Sequence, residues 1–267
     1  MQKSFDEVKA FWRAAAVEEL DWEQLRPTAR DPYLQQAIEE IVCRYLPKEP
    51  RGKQLLDIGC GDGMSTFRFA PFFERAVGID YVDAFVARAK AMADRKPVQN
   101  AQFHVGDATD LSPWRKHYGE FDVATSIRCL INLASWENQR RGIAEAAKSL
   151  KSGGLYILSE GWQEGMDGLN EARKAVGLQA MGVAPYNLLI RRDTFDKTVS
   201  EYFKPEAYVS LGLYMYASRV MQPMLMAPEP PQHAHPLNRV AMEIVTRANR
   251  PGFDDCDYAG IIILRRK

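Results

Sequence analysis

The sequence predicts an α/β fold: a doubly wound, mostly parallel seven-stranded sheet with helices on both faces, behind an N-terminal helical cap. Three observations carry that expectation. Short apolar runs such as Leu55-Leu56-Asp57-Ile58 and Leu155-Tyr156-Ile157-Leu158 alternate with helix-forming segments, the pattern of strands covered on both faces. Residues 5–46 show apolar positions at helical spacing. The first strand also passes directly into three alternating glycines, a turn suited to a ligand at a strand's carboxyl end.

In the leading segment Val8, Phe11 and Trp12 fall at helical spacing, as do Leu34, Ile38, Ile41, Val42 and Tyr45, so two helices with a break at Leu25-Arg26-Pro27 are expected. Pro47 and Pro50 end this cap, residues 1–50. The main domain, residues 51–267, opens with a strand over 54–58. Further strands are expected over 76–79, 101–105, 121–125 and 155–158, each separated from the last by a segment able to form a helix. Beyond residue 161 the pattern loosens into helices over 164–177 and 193–203, a strand over 208–213 and a final strand over 261–264 able to pair with it. Between those strands, residues 214–258 contain Pro223, Pro228, Pro230, Pro231 and Pro236 and a helix over 237–248, too much chain for a hairpin turn. Met215, Met221, Met224 and Met226 make this insertion adaptable and apolar, and a lid or acceptor-binding wall is expected there.

Composition narrows the function. With 46% hydrophobic and 26% charged residues among 267, the chain reads as a folded, soluble protein. Lysine plus arginine (35) equals aspartate plus glutamate (35), so no field of one sign draws the chain onto nucleic acid. Cys43, Cys60, Cys129 and Cys256 show no paired metal or redox spacing, and reduced thiols in the cytoplasm are expected. No apolar run approaches a membrane span, and the acidic start Ser4-Phe5-Asp6-Glu7 is unlike a signal peptide.

The segment from Leu55 to Gly63 is the most informative. A dinucleotide fingerprint fails, because the sixth position counted from Gly59 is Met64. The spacing G-x-G-x-G after the acidic Asp57 instead resembles the first motif of class I S-adenosylmethionine-dependent methyltransferases. Two further motifs support the resemblance, which covers about residues 53 to 160: Val77-Gly78-Ile79-Asp80 and His104-Val105-Gly106-Asp107-Ala108, each ending a strand. It implies a Rossmann-like sheet, S-adenosylmethionine as cofactor and methyl transfer as the activity. It implies that Gly59, Cys60, Gly61 and Gly63 lie under the cofactor's methionine part and that Asp57 orients its ammonium group. Asp80, with Tyr81 beside it, would take the ribose hydroxyls. Asp107 would accept from the adenine amino group, the Ala108 amide would face the ring, and Ser126 would complete the set.

The fourth strand's end, from Thr125 to Leu133, lacks the Asn/Asp-Pro-Pro-aromatic motif with which related enzymes methylate amino groups of macromolecules. Arg128 and Asn132 stand at i and i+4, near where an acceptor would lie, and Arg128 suits a phosphate or carboxylate. Its alternative is to pair with Glu137 or Glu160. Tyr186 and Asn187 are further acceptor candidates; Glu160, His233, His235 and Tyr186 are candidate bases, and Arg128 is a further catalytic candidate. Neither the two histidines nor Asp254, Asp255 and Asp257 have a metal-ligand spacing, and no metal is expected. The run from Arg128 to Leu133, with Trp136-Glu137 and residues 214–238, resembles methyltransferases of bacterial surface-polysaccharide and sugar modification. That implies O-methylation of a sugar or glycan hydroxyl in polysaccharide biosynthesis; a small natural-product or metabolite acceptor, or a non-catalytic cofactor-binding module, is the alternative.

Overall fold

A computed structural model describes residues 4–17, 30–95, 98–247 and 252–267. The expected break at Leu25-Arg26-Pro27 lies outside the described residues. The cap consists of α1 (Phe5–Val17) and α2 (Pro32–Cys43). Asp31 caps α2 by accepting from the Leu34 N–H, and Pro32 at the first helical position gives up no bond it needs.

The main body is one seven-stranded sheet: β1 (Gln54–Ile58), β2 (Arg75–Asp80), β3 (Ala101–Val105), β4 (Phe121–Ile127), β5 (Leu150–Ser159), β6 (Phe203–Val209) and β7 (Ile261–Arg266). The helices between them are α3 (Met64–Phe69), α4 (Asp83–Ala93), α5 (Ser112–Tyr118), α6 (Trp136–Ser149), α7 (Gln163–Ala175) and α8 (Arg192–Tyr202). After β6 come α9 (Gly212–Tyr216), a π turn over Ala217–Met221, α10 (Gln222–Met226) and α11 (Pro236–Arg247).

The strand order is β3-β2-β1-β4-β5-β7-β6. Strands β1 to β5 are parallel, but β7 runs antiparallel to both β5 and β6, so the sheet is mixed. Alternate residues serve opposite apolar layers: Leu55, Ile157, Ile261 and Ile263 pack on one face, and Leu56, Ile58, Tyr156, Leu158 and Ile262 on the other. The chain winds outward from β1 through β2 to β3, then returns to place β4 on the other side of β1. Such a reversal leaves a crevice beyond the carboxyl ends of β1 and β4.

The strand expected over 208–213 is displaced to Phe203–Val209, and a helix begins at Gly212. Lys204, Pro205 and Glu206 show no apolar run, yet β6 is an edge strand with a register shift between Pro205 and Ala207, where a missing N–H is tolerated. The described part of the expected insertion, residues 214–247 and 252–258, does not line the crevice: α11 packs on α2, and Tyr214, Met215, Val220, Met242 and Val245 join the apolar layer containing α2. No helix among the described residues is long and apolar enough to cross a membrane.

Candidate active site

The glycine loop is tied to the second strand by its main chain. Both the Gly59 and Cys60 N–H groups donate to the Ile79 carbonyl, at 2.8 and 3.0 Å, and Gly61 N–H donates to Asp80 Oδ2 at 2.9 Å. Gly59 has φ +72°, and a Cβ there would lie 2.5 Å from Cys129 Sγ, so the close approach of loop and β4 demands glycine.

Two carboxylates sit at this turn. Asp57 accepts from Thr66 Oγ1 at 2.5 Å and Thr125 Oγ1 at 2.8 Å, side chains of α3 and β4. Burial pushes it up to about 6 against those two hydroxyls. Asp80 accepts from Gly61 N–H and, at 2.8 Å, from Val82 N–H; burial likewise pushes it up to about 6. Each keeps lone pairs beyond these bonds, since a carboxylate has about four acceptor positions.

Over the loop opens a cleft with about 1030 Å³ of empty space, its open mouth included. Its floor is made by Asp57, Gly59, Cys60, Gly61, Asp62, Asp80 and Tyr81; its other walls include Trp12, Arg30, Gln35, Ser65, Arg128, Asn132, Tyr186 and Asn187. The structure thus brings together most of the expected cofactor residues with all four expected acceptor residues. S-adenosylmethionine fits this donor set: acidic side chains for an ammonium and a diol, and a glycine turn without side chains beneath them.

The other end of the cleft, where an acceptor is expected, is built from segments far apart in the chain. Arg128 adopts φ +53°, a left-handed conformation uncommon outside glycine, and its Nη2 donates to Gln35 Oε1 at 3.3 Å. Gln35 is itself held, its Nε2 donating to Glu39 Oε1 and to Ser65 Oγ, each at 2.9 Å. Arg128 pairs with neither expected acid: Glu137 is bonded to Arg140, and Glu160 to backbone amides. Arg128 and Asn132 are joined through main chain, Asn132 Nδ2 donating to the Arg128 carbonyl at 2.7 Å, because the helical turn here spans only Leu130–Asn132. Asn132 Oδ1 in turn accepts from Trp12 Nε1 at 3.0 Å. Tyr186 stacks on Phe11 with centroids 4.1 Å apart, closing the cleft between α1 and the loop before α8.

Several expected site residues lie elsewhere. Gly63 is the N-cap of α3, where a Cβ would strike Phe103, and it supports the loop from below. Ser126 is fully buried between Tyr156 Oη and Glu160. Asp107 turns back to accept from the N–H and Oγ1 of Thr109, both at 2.8 Å, and meets Lys9 of α1 at 3.7 Å; neither it nor Ala108 lines the cleft. His235 Nδ1 accepts from Leu237 N–H at the start of α11, and His233 faces Asp31 at 3.6 Å, so neither histidine is placed to act as a base in the cleft. Glu160, expected as a base, spends its oxygens on three backbone amides and a hydroxyl. Among the described residues no group of three histidine, cysteine, aspartate or glutamate side chains is placed to hold a metal ion.

Sequence reasoning missed Asp62, Gln35 and Ser65. Asp62 sits inside the glycine motif, 2% exposed, and its position there was a usable signal. Gln35 carries none, because its partner Arg128 is 93 residues away.

Comparison with known proteins agrees with this geometry. Residues 55–154 match the family described as a methyltransferase domain. The uncharacterized methyltransferase YcgJ of Bacillus subtilis is 30% identical over 105 residues, 39% of each chain. A dTDP-4-amino-2,3,4,6-tetradeoxy-D-glucose N,N-dimethyltransferase of Saccharopolyspora spinosa is 29% identical over 128 residues, 46% of each chain. The matches thus span less than half the length of these curated relatives. Among solved structures, geranyl diphosphate C-methyltransferase of Streptomyces coelicolor, crystallised with S-adenosylhomocysteine, superposes with a TM-score of 0.61 at 13% identity, over 98% of both chains. Residues 55–154, less than half of the chain, thus match a methyltransferase domain, and the likeness to the solved structures is one of fold.

Proposed function

We propose that the whole chain is an S-adenosylmethionine-dependent methyltransferase acting on a small polar acceptor, with a sugar or glycan hydroxyl as the first choice. One observation carries the reading: a single cleft joins the tied glycine loop, with Asp57 and Asp80, to a wall of Arg128, Asn132, Tyr186 and Asn187. The cofactor supplies an electrophilic methyl on its sulfonium. What remains for the protein is to align an acceptor atom with that methyl and keep water out. Amide, guanidinium and aromatic side chains suit a ring with polar edges and apolar faces.

The Saccharopolyspora relative, whose name gives an amino sugar nucleotide as its substrate, supports a sugar acceptor and keeps nitrogen open as the methylated atom. A small natural-product or metabolite acceptor is the second reading. No histidine lines the cleft among the described residues, which favours alignment over strong general-base assistance.

The test is calorimetric titration with S-adenosylmethionine and S-adenosylhomocysteine, then incubation with methyl-labelled cofactor and a panel of nucleotide sugars, oligosaccharides and small phenols. Binding of both cofactor forms and label on a sugar are expected. No binding of either form would end the methyltransferase reading, and label on phenols alone would overturn the sugar acceptor. Binding without transfer to any acceptor would favour a non-catalytic module.

A further inference from the structure

We propose that Glu160 is a positioning residue: its carboxylate gathers three consecutive backbone amides of the β4 loop and so sets the conformation in which Arg128 and Asn132 face the acceptor. Glu160 follows β5 and is 1% exposed. Its Oε1 accepts from the N–H of Cys129 at 3.2 Å and of Leu130 at 3.0 Å, and from Ser126 Oγ at 3.2 Å; Oε2 accepts from the Ile131 N–H at 3.2 Å. Among the described residues no lysine or arginine forms an ion pair with it. A buried carboxylate without a cation is costly unless donors aimed at it supply the compensation, and here three amides and a hydroxyl converge on one group.

The amides belong to the segment that lines the cleft. Arg128, immediately before them, sits at φ +53°, a conformation that a non-glycine residue keeps only when its surroundings over-determine it. The Arg128 N–H is held by the Ser159 carbonyl at 2.8 Å, and the next three N–H groups by Glu160, so two adjacent residues at the end of β5 fix four successive amides. Asn132 continues the chain of contacts to the Arg128 carbonyl and to Trp12 of α1. Glu160 acts on the acceptor only through this loop.

The arrangement is sensitive to charge. An ionised carboxylate accepts all four bonds, whereas a protonated one must turn a donor towards donors. Burial pushes Glu160 up to about 7 against the four bonds, which places the change near neutrality. The titratable groups facing it are Tyr156 on β5, Cys129 on the loop and Tyr258 before β7, and on the far side of Cys129 stand Asp57 and Asp80, which burial raises to about 6. Burial raises Tyr156 and Tyr258 above the ordinary tyrosine value and Cys129 above the ordinary thiol value, so Glu160 is the group among them that changes charge close to pH 7.

The experiment is a pH titration of the ligand-free full chain, deuterated and 15N-labelled, followed by NMR between pH 5 and 9. The amide protons of Cys129, Leu130 and Ile131 are expected to shift together with one midpoint near 7, and the Trp12 indole N–H to follow them. In Glu160→Gln that shared titration is lost. Should this variant fail to fold, Ser126→Ala decides: removing one donor to the carboxylate raises the common midpoint. Three flat amide curves in the wild type, a shared titration of all three amides with its midpoint near 7 that persists in Glu160→Gln, or an unmoved midpoint in Ser126→Ala would each overturn the proposal. The loop's role towards an acceptor rests on the methyltransferase reading. The titration does not: failure of that reading appears separately, as unshifted resonances on adding S-adenosylhomocysteine.

Discussion

Replacing Asp80 by asparagine separates what this carboxylate does for binding from what it costs the fold. Its two oxygens already accept from the Gly61 and Val82 amides, and its remaining lone pairs are those proposed for the ribose hydroxyls. Losing charge-assisted acceptance there removes about 2–3 kcal/mol, or roughly 30- to 150-fold in dissociation constant. Stability moves the other way. Burial raises the Asp80 pKa from 3.8 to about 6, so the folded protein holds that proton more tightly than the unfolded chain. The associated stability is full below pH 4 and lost as pH rises through 6; at pH 8 the ionised group costs about 3 kcal/mol relative to its neutral form. Asparagine resembles the neutral form but turns one N–H₂ towards an amide, which takes back part of that gain. Asp80→Asn is therefore expected to bind S-adenosylhomocysteine far more weakly by calorimetry while its urea midpoint at pH 8 is equal to or above that of the wild type. Unchanged affinity would refute the ribose assignment, and a large loss of stability at pH 8 would refute the account of the buried charge.

Asp57 and Asp80 are both raised to about 6, and it is their ionised forms that are proposed to hold the cofactor, so affinity for S-adenosylhomocysteine should be level above pH 7 and fall below 6. The expected fall is roughly tenfold per pH unit for each carboxylate; a flat dependence from pH 5 to 8 would contradict the site. Arg128→Ala should spare cofactor affinity and slow methyl transfer. Because Arg128 sits at φ +53°, Arg128→Gly should be more stable than Arg128→Ala by about 1 kcal/mol in urea denaturation, and the opposite order would show that the loop relaxes. Exchanging His233 and His235 together for alanine should leave cofactor affinity and turnover intact, since neither lines the cleft; a marked loss of turnover would return them to the candidate bases.

The first five strands were legible because each is a compact apolar run, and β1 ends at a turn that few residues other than glycine can make. β6 was displaced because an edge strand need not be apolar and accepts Pro205. The cofactor half of the cleft was legible for a related reason: Asp57, Gly59, Gly61 and Asp80 lie at the ends of neighbouring strands, so sheet order alone brings them together. Asp107 stands at the same kind of position, but its own turn through Thr109 and the reach of Lys9 occupy it. His233 and His235 have suitable chemistry, yet they are spent on Asp31 and on the start of α11, which no local pattern reveals.

The two halves of the cleft differ in what holds them. On the cofactor side, main-chain bonds from Gly59, Cys60 and Gly61 to the end of β2 place the loop, and side chains there add chemistry to a position already set. On the acceptor side, α1, α2, the β4 loop and the loop carrying Tyr186 meet through side chains: Trp12 with Asn132, Gln35 with Arg128, Tyr186 with Phe11. Each such bond contributes about 1 kcal/mol, so any one segment can shift while the sheet stays whole. On the proposed methyltransferase reading, that difference would put acceptor choice in the side-chain contacts, and it makes the buried Glu160 beneath the β4 loop the point at which a single charge bears on the loop that carries Arg128 and Asn132.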